Sequence, residues 1–226
     1  MILVIITTSN GIAQNGISAN QYNKHIRFLA ADKLEGRFPG TKGNDKAAAY
    51  IRKQFKQYGL SGWQNNFYQP FYVKVKKQTN SVSQDSVLTK NVIAFLPGTD
   101  PLLKEEYIVI GAHYDHLGWG GKGTGSKKPD TLAIHNGAID NASGTAALLC
   151  IAREVSRLKQ NKRSILFIAF SGEEEGLVGS KFFTNHLPVP DTAIKLMINI
   201  DILGCLNAEN QSYMGGAGTF PGGEDL

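Results

Sequence analysis

The chain has 226 residues, of which 42% are hydrophobic and 19% are charged, and its formal net charge is +5. This composition is that of a globular protein with a sizeable core, and it excludes an intrinsically disordered class. The positive charge is concentrated in the first 90 residues, but it is spread over helix faces without interleaved aromatic residues, so no nucleic-acid partner is expected.

The first residues carry the pattern of a secretory signal. A short apolar core, residues 2–6, is followed by small residues before Gln14. We therefore assign residues 1–17 to a leader and residues 18–226 to a single domain, and we expect a secreted or periplasmic protein. A basic n-region is missing, and a buried first strand is the alternative. The apolar run is too short to span a bilayer, so no stable membrane insertion is expected.

Helices and strands alternate through the rest of the chain. A capping pattern at Ser18 predicts the first helix, and apolar residues at helical spacing predict a second helix over residues 45–58. The alternation that follows is typical of βαβ units, and it predicts an α/β fold with a largely parallel sheet. The principal predicted strands are residues 67–75, 91–96, 107–112, 165–170 and 194–200, and the later helices are residues 144–158 and 177–186. Polar residues 76–89 predict a loop or hairpin tip, and residues 118–136 predict a long loop.

Three of these strands end directly before residues that can bind a metal, and a further carboxylate stands just before the helix at residue 144. Ligands bind outside the carboxyl ends of the strands in an open α/β sheet, so these side chains are expected to meet. Imidazole nitrogen and carboxylate oxygen are ligands that zinc prefers. We predict a hydrolytic site for two metals, formed by His113, Asp115, Asp140, Glu173, Glu174 and Asp201.

The chemistry of a two-metal site suggests a role for each ligand. A single carboxylate can bridge two metals that lie about 3.5–4 Å apart. The sequence offers His113 and Asp201 as terminal ligands of one metal, Asp140 as the bridge and Glu174 as a ligand of the second metal.

Two further carboxylates are expected to act without binding metal. The chain is expected to turn at residues 171–172, so Glu173 should point away from its neighbour and be free to act as general base. Asp115 follows His113 at strand spacing, and it is therefore placed to accept a hydrogen bond from the second ring nitrogen of that histidine.

Four segments carry distinctive motifs, GAHYDHLG at 111–118, NGAIDNASG at 136–144, AFSGEEEGLVGS at 169–180 and NIDILG at 199–204. Together they resemble the signatures of the co-catalytic zinc aminopeptidases typified by bacterial leucyl aminopeptidase. Glutamate carboxypeptidase and the transferrin receptor share the fold of that family. LEGR at residues 34–37 and GTKG at residues 40–43 also resemble its N-terminal region, so the resemblance covers about residues 20–215.

The resemblance implies a three-layer αβα fold with a mixed, largely parallel sheet, and an exopeptidase, in the first place an aminopeptidase, acting on peptides or proteins. It implies the same role for each of the six residues, with two zinc ions as cofactors. The zinc ions would lower the pKa of a bridging water and polarise the scissile carbonyl. Glu173 would take the proton of the water and pass it to the leaving amine.

One departure from the family concerns the second metal. The family supplies a further histidine to it from a loop near the C-terminus, whereas no histidine follows His186 here, and the glycine-rich tail contains no recognisable element. We therefore expect a chain that is truncated at the C-terminus, with an incomplete fold and a weaker second metal site. His116 and His135 lie near the cluster, and we interpret both as plain loop residues; a role beside the ligands or in the substrate pocket is the alternative.

Two other functions stay open at this stage. The first is a transferase similar to glutaminyl cyclases, which would need one zinc ion and an acidic proton shuttle on the same scaffold. The second is a binding domain without activity, as the transferrin receptor is for this fold. Complete loss of metal ligands would favour the binding domain, and cyclisation of an N-terminal glutamine would favour the transferase.

Overall fold

The computed structural model describes residues 16–75 and 86–204 and Gly215. Residues 1–15 of the predicted leader and nearly all of the glycine-rich tail therefore lie outside the described residues, and the predicted leader, domain division and location stay predictions. The described helices and strands all lie in one compact unit, Ile17–Leu203. The α-helices are α1 (Ala19–Leu29), α2 (Lys42–Gln57), α3 (Gly144–Leu158) and α4 (Val178–Asn185).

Side-chain caps decide where the first two helices begin. The Ser18 hydroxyl accepts a hydrogen bond from the amide of Gln21 at 3.2 Å, as the capping pattern predicted. Helix α2 begins at Lys42, three residues before the predicted start, because the hydroxyl of Thr41 caps it through the amide of Asn44. Across the described residues, no helix combines the length and the apolar character that a bilayer span requires.

The strands form a mixed sheet with a parallel centre. Its order is β1–β3–β7–β4–β8, with β2 also paired to β3. Strand β4 lies between β7 and β8 and is parallel to both, whereas β3 is antiparallel to β7, β1 and β2. The strands are β1 (Ser61–Gly62), β2 (Tyr68–Lys74), β3 (Ser86–Leu96), β4 (Tyr107–His113), β5 (Gly118–Trp119), β6 (Ile134–His135), β7 (Ser164–Phe170) and β8 (Ile194–Asn199).

Two short corrections concern the strands. Residues 86–89, predicted to be part of a loop, begin β3, because their backbone pairs in antiparallel register with β2, with Val87 opposite Val73. The long loop predicted over residues 118–136 contains the small β5–β6 pair, in which Gly118 lies opposite His135.

Both faces of the sheet are covered by helices, which confirms the three layers. Side chains alternate between the two faces of a strand, so neighbouring residues enter different cores. Ile110 and Phe167 belong to a core that contains residues of α1, α2 and α3. Val109 and Leu166, one position away, belong to a second core with Phe183 of α4.

The register of the parallel strands brings their ends together. His113, the last residue of β4, pairs with Phe170, the last residue of β7. On the other side of β4, Gly111 pairs with Asn199, the last residue of β8. The segments that follow these strands therefore leave the sheet at one edge, where a ligand site is expected in this class of fold.

Candidate metal centre

His113 lies at the centre of a cluster of carboxylates at this edge of the sheet. Its side chain is 3% exposed, and its Nε2 atom lies 3.1 Å from Oδ1 of Asp140 and 3.4 Å from Oδ1 of Asp201. Glu173 is slightly farther away, with Oε2 at 3.9 Å from the same nitrogen. The structure thus brings together ligands that are up to 88 positions apart in the numbering of the chain, from His113 to Asp201.

The ring of His113 is placed to bind a cation. Among the described residues, neither ring nitrogen has a hydrogen-bond partner, although buried polar groups are nearly always paired. Burial lowers the pKa of this histidine, but Asp115, Asp140 and Asp201 outweigh it and raise the pKa to about 12. The cluster therefore favours positive charge at the imidazole, and a metal cation would supply that charge in place of the proton.

A second group of possible ligands lies beside the first. One ligand atom from each of His116, Asp140 and Glu174 lies within 4.8 Å of the other two, and the same holds for His113, Asp140 and Asp201. Asp140 belongs to both groups, which is the arrangement that its predicted bridging role requires. The neighbouring imidazole of His113 lowers the pKa of Asp140, which favours the ionised carboxylate.

His116 is the residue that our interpretation of the sequence missed. Its side chain is 11% exposed, and its Nδ1 atom lies 2.5 Å from Oε1 of Glu174. The interpretation as a plain loop residue did not predict this contact with a proposed metal ligand. The sequence held one signal, a second histidine in the segment that carries His113, but the direction of a loop side chain cannot be read from spacing.

Asp115 occupies a different position from the one predicted. Its Oδ1 atom lies 3.6 Å from Nδ1 of His113, which is too long for a hydrogen bond. Instead, the fully buried carboxylate accepts the amides of Glu173 at 3.2 Å and Glu174 at 3.4 Å. Asp115 therefore holds the backbone of the turn that carries the two glutamates.

The two neighbouring glutamates point to different groups, as the predicted turn requires. Gly172, with φ of 72°, makes this turn directly after β7. Glu173 faces His113, whereas Glu174 contacts His116. Burial raises the pKa of Glu173, and the nearby carboxylates raise it further, although His113 lowers it. A carboxylate with a raised pKa is a better proton acceptor than an ordinary one.

The loop before α3 is tied to both neighbouring strands. The buried side chain of Asn141 donates a hydrogen bond to the carbonyl of Ile200 at 2.9 Å, directly before Asp201. The hydroxyl of Thr145 donates to the carbonyl of His113 at 2.7 Å. These bonds set the position of Asp140 relative to the ends of β4 and β8.

A buried arginine supports the same loops. Arg37 belongs to the LEGR segment, is fully buried and donates hydrogen bonds to four backbone carbonyls. Burial lowers the pKa of its guanidinium to about 10, while Asp115, Asp140 and Glu174 favour its charge. Arg37 therefore joins the N-terminal segment to the two loops that carry metal ligands. The four acceptors are the carbonyls of Leu29, Tyr114, Asn136 and Gly137.

Replacing Arg37 by Met should lower the free energy of unfolding by about 3 kcal/mol or more, because buried carbonyls would lose their donors. Urea unfolding of the metal-free protein measures this effect. Arg163→Met is the matched control, since that guanidinium is 39% exposed and binds Glu106 near the surface, so a loss of about 0–1 kcal/mol is expected. Equal losses in both variants would contradict the role given to Arg37.

Two cavities flank the carboxylates. One has a volume of about 160 Å³ and borders the group around His113, and the other has a volume of about 250 Å³ and borders Glu174. Both combine apolar walls with carboxylates, as small-molecule and peptide sites do. The apolar side chains are Phe170, Leu177 and Met197 in the first cavity, and Phe38 and Leu117 in the second.

Comparison with known families identifies the fold and the cluster together. Residues 91–222, more than half of the chain, match the model of peptidase family M28. The chain belongs to peptidase family M28. All of the possible metal ligands described above lie within the matched residues.

Relatives of this M28 chain include aminopeptidases. Leucine aminopeptidase 2 of Trichophyton rubrum is 31% identical over 133 residues, which are 58% of this chain and 23% of that protein. The chain spans about a quarter to about a third of the length of the curated relatives that it matches.

Solved structures confirm the α/β fold. A Zn-dependent exopeptidase from Parabacteroides distasonis has a TM-score of 0.65 and 19% identity, over 85% of this chain and 64% of that chain. Glutaminyl cyclase from Porphyromonas gingivalis has a TM-score of 0.62 and 20% identity, over 84% of this chain and 62% of that chain. This fold therefore occurs both in an exopeptidase and in a glutaminyl cyclase.

Proposed function

We propose that this M28 chain is a zinc-dependent exopeptidase, specifically an aminopeptidase that hydrolyses peptides at a free amino terminus. The observation that carries the proposal is the convergence of His113, Asp140 and Asp201 at the ends of β4 and β8. In the part of the chain that the structure describes, the imidazole has no hydrogen-bond partner. The aminopeptidases among the relatives support the choice of substrate.

The donor atoms of the cluster suit zinc. One imidazole nitrogen and carboxylate oxygens form the set that catalytic zinc sites use. His113 and Asp201 would hold one ion, Glu174 would bind a second, and Asp140 would bridge the two. Zinc, when bound, supplies Lewis acidity, which lowers the pKa of water and polarises a scissile carbonyl.

Glu173 is the residue that we assign to proton transfer. Its carboxylate is 32% exposed, so it lies at the boundary between the cluster and the solvent. The raised pKa suits a group that accepts the proton of the attacking water and donates it to the leaving amine. Asp115 orients this carboxylate by holding the amide of Glu173.

Hydrolysis of aminoacyl anilides tests the proposal. We expect the zinc-loaded chain to cleave a substrate with a free α-amino group and to leave the N-acetylated form of the same substrate intact. A chelator should abolish turnover, and added zinc should restore it. Equal cleavage of both forms would contradict an aminopeptidase, and absence of turnover in a protein with confirmed zinc content would contradict a peptidase.

Glutaminyl cyclase activity is the second candidate, because a cyclase shares the fold. Such a transferase needs one metal, whereas this chain places a second group of ligands around Asp140, which favours the peptidase. A peptide with N-terminal glutamine separates the two by mass spectrometry. Loss of ammonia with an intact peptide chain would favour the cyclase, and release of free glutamine would favour the aminopeptidase. Failure of the protein to bind zinc would favour the binding domain instead.

A further inference from the structure

A side chain of β3 binds the backbone at the point where β7 ends. Backbone pairing between these two strands stops at Val92 and Ala169. One residue earlier in β3, the carboxamide oxygen of Asn91 accepts a hydrogen bond from the amide of Ser171 at 3.1 Å. Ser171 is the first residue after β7, so a side chain of β3, and not its backbone, holds the start of the turn.

The same carboxamide also binds the far end of the segment that follows β7. Its Nδ2 atom donates to the carbonyl of Gly179, in the first turn of α4, at 2.9 Å. A Cβ atom at position 179 would collide with the carbonyl oxygen of Ser171 and with Oδ1 of Asn91, so only glycine lets the two ends approach this closely. One side chain therefore joins the two ends of residues 171–179, which we call the glutamate loop.

The position between the two ends requires a carboxamide. Asn91 is fully buried, and its second N–H donates to Oε1 of Gln69 in β2 at 2.9 Å. The amide of Ser171 can only donate and the carbonyl of Gly179 can only accept, so the side chain between them must offer both an acceptor and a donor. An ionised carboxylate or an aliphatic side chain of similar size does not meet this requirement. A buried polar residue at position 91 is favourable because its bonds are made.

The glutamate loop carries the residue that we assign to proton transfer. Within the loop, the carbonyl of Glu173 accepts the amides of Gly176 at 2.9 Å and Leu177 at 2.8 Å. Asp115 binds the middle of the loop through the amides of the two glutamates. Asn91 binds its ends, and the position of Glu173 relative to the sheet therefore depends on both side chains.

We propose that Asn91 is a positioning residue for the peptidase reaction, which holds Glu173 in place by joining the two ends of the glutamate loop. The inference rests on the proposed function, in which Glu173 transfers the proton of the attacking water. Displacement of a catalytic group by about 1 Å can lower a rate about 100-fold, so a residue that fixes the loop affects turnover without contacting the substrate.

Amide hydrogen exchange of the metal-free chain, followed by NMR, tests the structural part of the proposal. In Asn91→Ala, the amides of Ser171 and Val178 should exchange at least about tenfold faster than in a control of equal stability, as expected for the loss of a hydrogen bond. Val178 reports on the far end of the glutamate loop, because its amide donates to the carbonyl of Gly172 at 2.9 Å.

Asn161→Ala is the matched control for Asn91→Ala. Asn161 lies before the start of β7, at the opposite end of the strand, and its carboxamide binds the backbone carbonyls of Pro97 and Arg163, each at 3.0 Å. Both variants lose side-chain bonds to the backbone, but only one of them touches the glutamate loop. Urea is added to the more stable variant until the two free energies of unfolding are equal, so any remaining difference in exchange is local.

Steady-state kinetics at saturating zinc test the functional part. Asn91→Ala should lower kcat about 10–100-fold while KM for an aminoacyl anilide stays close to the wild-type value, because the transfer of the proton occurs only in the transition state. Asn161→Ala should keep the kcat of the wild type. Asn91→Ser removes less of the side chain, so it should show the same effects at smaller size, and it carries the test if the alanine variant does not fold.

The outcomes separate this inference from the proposed function. Exchange rates or a kcat in Asn91→Ala that match those of the stability-matched control would overturn the inference, and so would an equal fall in kcat in Asn161→Ala. Absence of turnover in the zinc-loaded wild type would refute the proposed function and with it the role of Asn91 in the reaction. Faster exchange in Asn91→Ala would then still show that this side chain holds the glutamate loop.

Discussion

Replacement of Glu173 by Gln should lower kcat by about 10²–10⁴-fold while the zinc content of the protein stays the same. The amide keeps the shape of the side chain but cannot accept the proton of the attacking water. Glu173 lies 3.9 Å from the nitrogen of His113, farther away than Asp140 and Asp201, so its loss should leave metal binding unaffected. Steady-state kinetics with parallel metal analysis measure both effects.

Glu105→Gln is the control for this experiment, because Glu105 is an exposed glutamate in the segment before β4. It should keep the activity and metal content of the wild type. Wild-type turnover in Glu173→Gln would remove Glu173 from the role of base. Loss of zinc together with activity would make it a ligand instead.

Replacement of His113 by Ala should abolish tight zinc binding and turnover together. The variant loses the only nitrogen donor of the group formed with Asp140 and Asp201. Its zinc affinity should therefore fall by more than about 10–100-fold, the loss that is usual when a residue behind the ligands is removed. Zinc affinity by competition with a chromophoric chelator, and activity at saturating zinc, are the measurements.

His186→Ala is the matched control, since His186 is exposed and its ring contacts Phe182 in α4. It should bind zinc as the wild type does. Retention of tight zinc binding in His113→Ala would show that the metal lies elsewhere, and the interpretation of the cluster would then be wrong.

Local sequence patterns were sufficient for much of the fold. The apolar runs that became β4 and β7 predicted their own ends, because buried strands exclude the polar residues that follow them. Boundaries that depend on one hydrogen bond or on a partner strand were less accurate. Helix α2 begins earlier than predicted at the cap of Thr41, and β3 begins earlier because β2 pairs with it.

Contacts between distant segments explain what could not be predicted at the site. Asp115 follows His113 by two positions, and the short separation suggested a bond between them. The carboxylate instead binds amides of the turn after β7, 58 positions away, where two donors are available. The carbonyls that Arg37 binds lie 8 to 100 positions away, and none is marked by a side chain.

The sequence by itself determined the kind of chemistry, because metal binding requires particular donor atoms. These donors are recognisable in the sequence as polar residues that follow strands or precede a helix, namely His113, Asp140, Glu174 and Asp201. Only the tertiary structure decided how the donors are grouped. The parallel register of β4, β7 and β8 brings the strand ends to one edge, and the direction of each loop side chain depends on packing between segments. His116 shows the difference, since its place beside Glu174 follows from contacts that no local spacing encodes.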